Sequence, residues 1–295
     1  MSICGLNIFI IGPTASGKSS LAIQLASELG LEICSVDAFQ IYRGLDIGTG
    51  KVTRDEQDGI KHHLLDVVDP VEPFSVADYL GKAEHLINRS SRPFIWVGGT
   101  GLYYNALRKG LSPIPVTPAE IQEELSQWSL DELSSEVCKV DPKWAASADL
   151  KNPRRMIRAL GVFRATGKPI SEWQKIESRG PILEAKAFYL CPSSDELKSR
   201  IERRVFAMLE NGWVEEVERL LKVNGWTASQ SYQAIGYPEV SKLVQGRIGR
   251  QECLDEVTKQ TWQYARRQRT WFRKEEGLVS LEIGRELEMI KAEIQ

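Results

Sequence analysis

The residues with the clearest chemistry lie near the start of the chain, in the segment IFIIGPTASGKSS. Gly12, Gly17, Lys18 and Ser19 have the spacing G-x-x-x-x-G-K-[ST], which is typical of a loop that binds a chain of phosphates. Backbone N–H groups of such a loop point at the anion, the lysine adds positive charge, and the serine hydroxyl is placed to bind Mg²⁺. The pattern predicts a polyphosphate site and first suggests a nucleoside triphosphate.

A second candidate is the carboxylate of Asp37, which directly follows a predicted strand in the segment LEICSVDAFQ. In a doubly wound parallel sheet, the carboxyl ends of the strands share one edge, so we expect Asp37 to face the phosphate loop. There it could accept a proton from an incoming nucleophile. The structural alternative is an Asx turn that caps the strand. Attack on phosphorus and attack on carbon both stay open, because small-molecule kinases can also use an acid in this region.

The acid expected of a P-loop hydrolase is missing from the best-formed later strand. That strand, RPFIWV at residues 92–97, runs into the glycine-rich segment GGTGLYY without a carboxylate. A hydrolase normally has an acid there to orient Mg²⁺. Asp66 and Asp69 are the remaining candidates, but they follow a weak strand. The pattern therefore argues against a motor or switch ATPase.

Apolar runs alternate with helical patterns, which predicts an α/β fold with a doubly wound parallel sheet. Strands are predicted at 6–11, 31–36, 92–97, 185–191 and 278–283, and helices at 18–29, 75–88, 195–211, 213–223 and 250–275. Between 111 and 185 the pattern is helical, and Thr117 with Glu120 is expected to cap the first helix there. We predict a discontinuous P-loop core, 1–110 with 186–295, and a small helical insertion, 111–185.

Composition limits the remaining possibilities. The chain has 295 residues, 42% of them hydrophobic, and a formal net charge of −2, so any nucleic-acid contact must come from a local basic face. The five cysteines are scattered without a C-x-x-C pair, which argues against a disulfide framework or a zinc site. With no leader pattern and no apolar run long enough for a membrane span, we expect a reduced cytoplasmic protein without membrane contact.

Several segments, in order along nearly the whole chain, resemble the motifs of the tRNA dimethylallyltransferases, the IPP transferase family. They are GPTASGKSSLA, SVDAFQIYRGLDIGTGK, HHLLDVVDP, VGGTGLYYNAL, NPRRMIRALGVF, AIGYPE and RRQRTWFR. One phosphate loop is common, but this ordered set is highly specific. Because the sequence up to Gln295 lacks the zinc-finger extension of the longer eukaryotic relatives, the resemblance suggests a bacterial-type or organellar enzyme.

The resemblance implies transfer of a dimethylallyl group from dimethylallyl diphosphate to N6 of the adenosine 3′ to the anticodon. The phosphate loop would then hold a diphosphate leaving group instead of ATP, with Mg²⁺ on Ser19. The implied diphosphate-binding residues are Gly12, Pro13, Thr14, Ala15, Ser16, Gly17, Lys18 and Ser19. Thr14 would contact the substrates and Lys18 would stabilise the departing charge. Asp37 would orient the N6 amine and take its proton as the general base.

The target base must leave the stacked anticodon loop, so the resemblance also implies a tRNA surface. The implied contacts are Asp37, Ala38, Phe39, Gln40, Thr100, Gln122, Arg154, Arg155, Met156, Ile157, Arg158, Arg266, Arg267 and Arg269. An ordinary solvated basic helix is the competing interpretation of the two arginine-rich stretches. Gln233 and Gln122 stand where some relatives have an arginine, so each lacks that charge.

Three further functions are compatible with the same motifs. A relative that prenylates free adenine nucleotides would share the loop and the aspartate but would need no helical insertion or basic helices. A small-molecule kinase would use the loop for ATP, and a non-catalytic tRNA-binding protein would use only the basic helices. We expect the partners to be the anticodon stem-loop of tRNA and dimethylallyl diphosphate, and we expect a monomer.

Overall fold

A computed structural model describes residues 6–176 and 183–294. Within these ranges the chain forms two compact units, residues 6–108 with 183–294 and residues 109–176. The unit boundaries lie a few residues from the domain boundaries predicted at 110 and 185. We refer to the first as the core unit and to the second as the helical unit.

The strands are short and coincide with the predicted apolar runs to within a few residues, except for β3, which was not predicted. They are β1 (Asn7–Ile11), β2 (Glu32–Val36), β3 (His62–His63), β4 (Phe94–Gly98), β5 (Ala185–Tyr189) and β6 (Leu278–Ser280). The helices are α1 (Lys18–Leu29), α2 (Val76–Arg89), α3 (Gly101–Lys109), α4 (Ala119–Ser126), α5 (Leu130–Val140), α6 (Pro142–Ala145), α7 (Pro153–Thr166), α8 (Ile170–Trp173), α9 (Ser194–Glu210), α10 (Trp213–Leu220), α11 (Tyr237–Val244), α12 (Arg250–Phe272) and α13 (Glu286–Ile294).

The core unit contains one parallel sheet of six strands in the order β3-β2-β4-β1-β5-β6. The central strands read as unbroken apolar runs because both faces of the sheet are covered, and β4 is buried throughout its length. Ile8, Ile10, Ile33, Ile95 and Phe188 join the apolar side of α1 in one core cluster. The predicted doubly wound fold is confirmed, and the strand ends that carry the candidate residues share one edge.

Local signals at the helix ends also behave as predicted in the core unit. Ser75 and Asp78 form a capping box at the start of α2, with each side chain bonded to the other residue's backbone N–H. Gly30 ends α1 in a left-handed conformation, with φ of 61°. These caps fix where the helices begin and end, and thus where the loops between them start.

The helical unit has its own small core, formed by Leu125, Leu133, Val137, Met156 and Leu160 among others. The predicted capping box at Thr117 is wrong: Pro118 precedes α4, and no side chain caps its first turn. Thr117 is instead buried, and its hydroxyl accepts a hydrogen bond from Arg158 at 3.0 Å. The sequence pattern predicts that the Thr117 hydroxyl caps the start of α4, but this hydroxyl bonds to the guanidinium of Arg158 instead.

No helix in residues 6–176 or 183–294 is both long and apolar enough to span a bilayer. The cysteines within those ranges, Cys34, Cys138, Cys191 and Cys253, are free thiols.

Candidate functional site

The phosphate loop joins β1 to α1 in a conformation that only a few residue types adopt. Gly17, which precedes α1, has φ of 97° and Ala15 has φ of 62°. A Cβ at Gly12 would overlap the carbonyl oxygen of Leu190, so no other residue fits there. A left-handed alanine costs on the order of 1 kcal/mol and persists where the surrounding structure enforces it. The protein itself therefore imposes the anion-binding shape of the loop.

Lys18 is partly buried within this loop. Its ammonium donates to the carbonyl oxygen of Pro13 at 2.5 Å and to the hydroxyl of Ser16 at 3.4 Å. Burial, followed by the charge of nearby Arg204, lowers the pKa of Lys18 from its ordinary 10.5 to about 7. The site thus holds a positive charge that lacks an adequate counterion from the protein, and an anionic ligand would supply one.

Two arginines of α9 add to this positive charge. Arg200 donates to the carbonyl oxygen of Ser16 at 3.0 Å and pairs with Glu196 at 2.6 Å. Arg204 lies one helical turn further along, and burial lowers its pKa, while the charges of Asp37 and Glu56 act in the opposite direction. Together with Lys18, these arginines form what we call the cation cluster.

Asp37 follows β2 directly and faces the cation cluster. One carboxylate oxygen, Oδ1, accepts hydrogen bonds from the backbone N–H of Phe39 at 2.9 Å and of Gln40 at 3.2 Å. The pKa values of Lys18 and Arg204 are lowered overall, but the charge of the Asp37 carboxylate opposes that lowering in both. Asp37 therefore lies within electrostatic range of the phosphate loop. Asp37 therefore forms the Asx turn and also lies at the predicted edge of the sheet. The two are compatible because the turn uses only Oδ1.

The loop after Asp37 is fixed from two directions. The side chain of Gln40 accepts a hydrogen bond from Ser35 at 3.0 Å and donates to the carbonyl oxygen of Thr49 at 3.3 Å. Glu216 of α10 is buried and accepts hydrogen bonds from the backbone N–H groups of residues 46, 47 and 48 and from the Tyr237 hydroxyl. The segment that carries Asp37 is therefore rigidly supported.

Thr100 follows β4 at the same edge of the sheet. The neighbouring Gly99 carbonyl accepts a hydrogen bond from Gln268 of α12 at 2.9 Å. Tyr264 lies one turn earlier on α12, close to the side chains of Thr100 and Gln268. Burial raises the pKa of Tyr264, and the charge of Asp37 raises it further. Thr100, Tyr264 and Asp37 thus belong to one neighbourhood.

Ser19 is the predicted metal ligand, and its residue is exposed in the first turn of α1. Among residues 6–176 and 183–294, no cluster of three or more His, Cys, Asp and Glu could hold a metal ion. Mg²⁺ binds readily through one or two protein oxygens when substrate phosphates and water complete its octahedron. A single hydroxyl beside a phosphate loop therefore fits Mg²⁺ that arrives with a phosphate ligand.

The two remaining candidate acids are committed to basic partners. Asp66 pairs with Lys51 at 2.6 Å, and Asp69 pairs with Arg43 at 2.8 Å. Lys51 is itself almost fully buried and also bonds to Asp46 at 2.5 Å. These carboxylates hold the loop between β2 and β3 in place, which agrees with the sequence pattern that disfavours a hydrolase.

The residues of α7 that the resemblance implicated fall into two groups. Arg154 and Arg155 are exposed, whereas the side chain of Met156 is fully buried in the core of the helical unit and has no surface for an RNA contact. Ile157 packs against that core. Arg158 points inward, bonds to Thr117 and to the carbonyl oxygen of Ile114 at 3.4 Å, and has its pKa lowered by burial.

The remaining predicted tRNA contacts are Gln122 and the arginines of α12. Gln122 donates to the carbonyl oxygen of Thr117 at 2.9 Å within the helical unit. Arg266 and Arg267 are exposed, and Arg267 lies over the ring of Tyr264. Arg269 is partly buried and donates to the hydroxyl of Ser194 at 2.6 Å. The arginines therefore differ in exposure although the sequence treats them alike.

Sequence reasoning missed Arg200, Arg204, Glu216 and Gln268. A signal existed for the two arginines, because residues four apart on a helix share a face. Another existed for Gln268, which interrupts an apolar stripe between Ala265 and Phe272 on α12. A buried polar side chain in such a stripe marks a specific hydrogen-bonding role.

The fold and this site define a P-loop α/β protein whose phosphate loop faces a carboxylate at the carboxyl edge of the sheet. A family model described as IPP transferase matches residues 40–275, and one described as isopentenyl transferase matches residues 6–71. The chain belongs to the IPP transferase family. The sequence-level resemblance to this family is confirmed.

Individual relatives agree with that assignment. The tRNA dimethylallyltransferase of Geobacillus thermodenitrificans is 41% identical over 91% of this chain and 87% of its own length. The protein of that name from Thermus thermophilus is also 41% identical, over 91% of this chain and 89% of its own. A solved tRNA isopentenylpyrophosphate transferase from Bacillus halodurans is 35% identical, covers 98% of this chain and 95% of its own, and superposes with a TM-score of 0.69.

A more distant structure is similar over most of the chain as well. A eukaryotic dimethylallyltransferase described as acting on tRNA superposes with a TM-score of 0.77 at 26% identity, over 94% of this chain and 74% of its own. The similarity therefore reaches relatives that share only a quarter of their residues with this chain.

Proposed function

We propose that this chain transfers the dimethylallyl group of dimethylallyl diphosphate to N6 of the adenosine 3′-adjacent to the anticodon of tRNA. Diphosphate is the second product. The observation that carries the proposal is the carboxylate of Asp37, which faces a phosphate loop next to the cation cluster. Family membership supports the same reaction, because the relatives are named for dimethylallyl transfer to tRNA.

The donor would lie with its diphosphate in the phosphate loop. Backbone N–H groups at the start of α1, Lys18 and the arginines of α9 then face the oxygens on which negative charge grows as the C1–O bond breaks. Mg²⁺, when bound at Ser19 with the diphosphate, supplies further positive charge there. Burial and the charge of Arg204 lower the pKa of Lys18, so the negative charge of a bound diphosphate would stabilise its ammonium form.

The acceptor nitrogen would lie beside Asp37. Its lone pair forms the new bond to C1 of the allyl group while the electron pair of the C1–O bond leaves with diphosphate. The N6 proton passes to the oxygen of Asp37 that the Asx turn leaves available, since Oδ1 is held by two backbone N–H groups. The allylic C–O bond provides the driving force, and no step requires ATP.

The tRNA would contact the Asp37–Gln40 segment, Thr100 and the exposed arginines. Arg154, Arg155, Arg266 and Arg267 have the charge and exposure to bind phosphates of the anticodon stem-loop. Met156 is buried and Arg158 supports the 114–117 segment, so the proposal gives neither a direct contact with tRNA.

The decisive experiment gives the purified protein three substrate pairs. Labelled dimethylallyl diphosphate is incubated with unmodified tRNA or with AMP, and ATP labelled in its γ-phosphate is incubated with AMP as a small-molecule acceptor. We expect the prenyl label in tRNA alone. Label in AMP would favour the nucleotide prenyltransferase, and γ-phosphate transfer would favour a kinase. We also propose a monomer, which light scattering of the eluting protein tests.

A further inference from the structure

We propose that Gln268 is a positioning residue that fixes the phosphate loop against the turn between β4 and α3. Its Oε1 accepts a hydrogen bond from the backbone N–H of Thr14 at 2.8 Å, and its Nε2 donates to the carbonyl oxygen of Gly99 at 2.9 Å. The residue is only 6% exposed. One buried amide therefore joins the loop for the leaving group to the turn that carries Thr100.

The two segments need such a link because the sheet ends just before them. β1 and β4 are parallel neighbours, and their last paired residues are Ile11 and Gly98. Beyond that point the chains leave the sheet, and the backbone ladder no longer sets their separation. Gln268 joins Thr14 to Gly99 just beyond the last paired residues of β1 and β4.

An amide of this length satisfies both partners at once. The Thr14 N–H requires an acceptor and the Gly99 carbonyl requires a donor, and a glutamine side chain supplies one of each. The fit is tight, because a Cβ at Gly99 would overlap the Gln268 amide and approach the carbonyl oxygen of Gly12. The amide of Gln268 therefore contacts both segments directly.

The same face of α12 also reaches the acceptor side of the site. Tyr264, one turn before Gln268, lies near Thr100 and within electrostatic range of Asp37. Helix α12 thereby contacts both the loop for the diphosphate and the groups near the acceptor nitrogen. In the transfer reaction, the attacking nitrogen and the leaving oxygen must lie on opposite sides of one carbon at a fixed separation. Gln268 sets that separation, an inference that rests on the proposed function.

The test compares single-turnover transfer by wild type, Q268M, Q268E and Q263M. Methionine keeps the volume of glutamine but loses both hydrogen bonds, and Gln263 is an exposed glutamine on the same helix that serves as the matched control. We expect Q268M to lower the rate constant of transfer about 10–100-fold, since a displacement near 1 Å has that effect. Q263M is expected to match wild type.

The choice of readout separates positioning from folding. With limiting tRNA and saturating folded enzyme, the single-turnover rate constant does not depend on the fraction of folded protein, and circular dichroism measures that fraction separately. We expect the inhibition constant of diphosphate and the affinity for tRNA to change by less than about threefold in Q268M, because the groups that bind each ligand remain. A Q268M rate constant equal to that of wild type would overturn the proposal.

Q268E adds a pH signature. The ionised carboxylate accepts from Thr14 but repels the Gly99 carbonyl, whereas the protonated acid offers one acceptor and one O–H donor, like the amide. The nearby titratable groups Asp37, Lys18 and Tyr264 are present in every variant, and the Q268M ratio shows whether loss of the amide alone changes the pH dependence that they impose. The ratio of Q268E to wild-type rate constants is expected to rise as pH falls from about 8.5 to about 6, while the ratio for Q268M stays flat. A flat Q268E ratio contradicts the proposed donor to Gly99.

The two hypotheses fail in different ways. If wild type transfers no prenyl group to tRNA, the proposed function is wrong. If wild type is active and Q268M has the same rate constant, the positioning role alone is wrong.

Discussion

The charges at the edge of the sheet behave differently from the arginines on the surfaces of α7 and α12. Lys18, Arg204 and Asp37 are partly buried, and their charges shift the pKa values of Lys18 and Arg204. Arg155 and Arg266, by contrast, are exposed. Coulomb interactions are weaker where solvent surrounds the charges. The partly buried charges at the sheet edge therefore act through individual contacts, whereas the exposed arginines attract an anionic ligand through their summed charge.

Arg158 sharpens this contrast within a single helix. It lies in the same RRMIR stretch as Arg155 but points inward to Thr117. A basic run in a sequence therefore contains residues of both kinds, and only burial separates them. Substitutions at the sheet edge should have large effects one at a time, and surface substitutions should have small effects that depend on salt.

The largest effect is expected for Asp37→Asn. Asparagine can still accept the backbone N–H bonds of the Asx turn but cannot take the N6 proton, so turnover should fall about 10²–10⁴-fold with tRNA binding nearly unchanged. Single-turnover transfer and filter binding measure the two quantities. Asp69→Asn, which removes an exposed ion pair nearby, is the control. Turnover retained by Asp37→Asn would remove Asp37 from the role of general base.

Lys18→Met should have the next largest effect. The variant loses the charge that faces the leaving group, and kcat/KM for the donor should fall about 10²–10³-fold. Its melting temperature is expected to rise, most clearly below pH 7, because the folded state then no longer holds a desolvated cation. A variant that is both less stable and fully active would show that Lys18 has only a structural role.

The pH dependence of diphosphate binding should follow from the same lysine. Its pKa in the ligand-free protein is about 7, and binding favours the charged form. Below pH 7 Lys18 is already protonated, whereas above pH 7 binding requires proton uptake, so affinity should weaken by up to about tenfold per pH unit. Calorimetry in buffers of different ionisation enthalpy counts the protons, with Lys18→Met as the reference for diphosphate's own titration. Equal uptake by both proteins would contradict this linkage.

The smallest effects are expected at the exposed arginines. Arg155→Ala and Arg266→Ala should each weaken tRNA binding modestly and reduce the salt dependence of the binding constant by about one counterion.

Arg158→Ala should instead lower the stability of the helical unit by about 1.5–3 kcal/mol, because charged hydrogen bonds to Thr117 and Ile114 are lost. If Arg158→Ala changed the salt dependence but not the stability, the proposed distinction between the two kinds of arginine would be wrong.

Local patterns were reliable where neighbours in sequence decide the outcome. The apolar runs, the capping box at Ser75 and the glycine that ends α1 predicted strands and helix ends correctly. The pattern at Thr117 failed because a distant residue of α7, Arg158, takes its hydroxyl. A local capping pattern is a poor predictor where a charged, partly buried side chain that is distant in sequence competes for the same hydroxyl, as Arg158 does for Thr117.

The sequence by itself determined the phosphate loop, the parallel sheet and the position of Asp37 at its edge. Each of these follows from backbone restrictions and from the period of apolar residues, which are local properties. Tertiary structure alone decided that Arg204 lies near Lys18, that Glu216 holds the loop after Asp37, and that Gln268 joins Thr14 to Gly99. These contacts join residues far apart in the sequence, and only the packing of α9, α10 and α12 within the core unit brings them together.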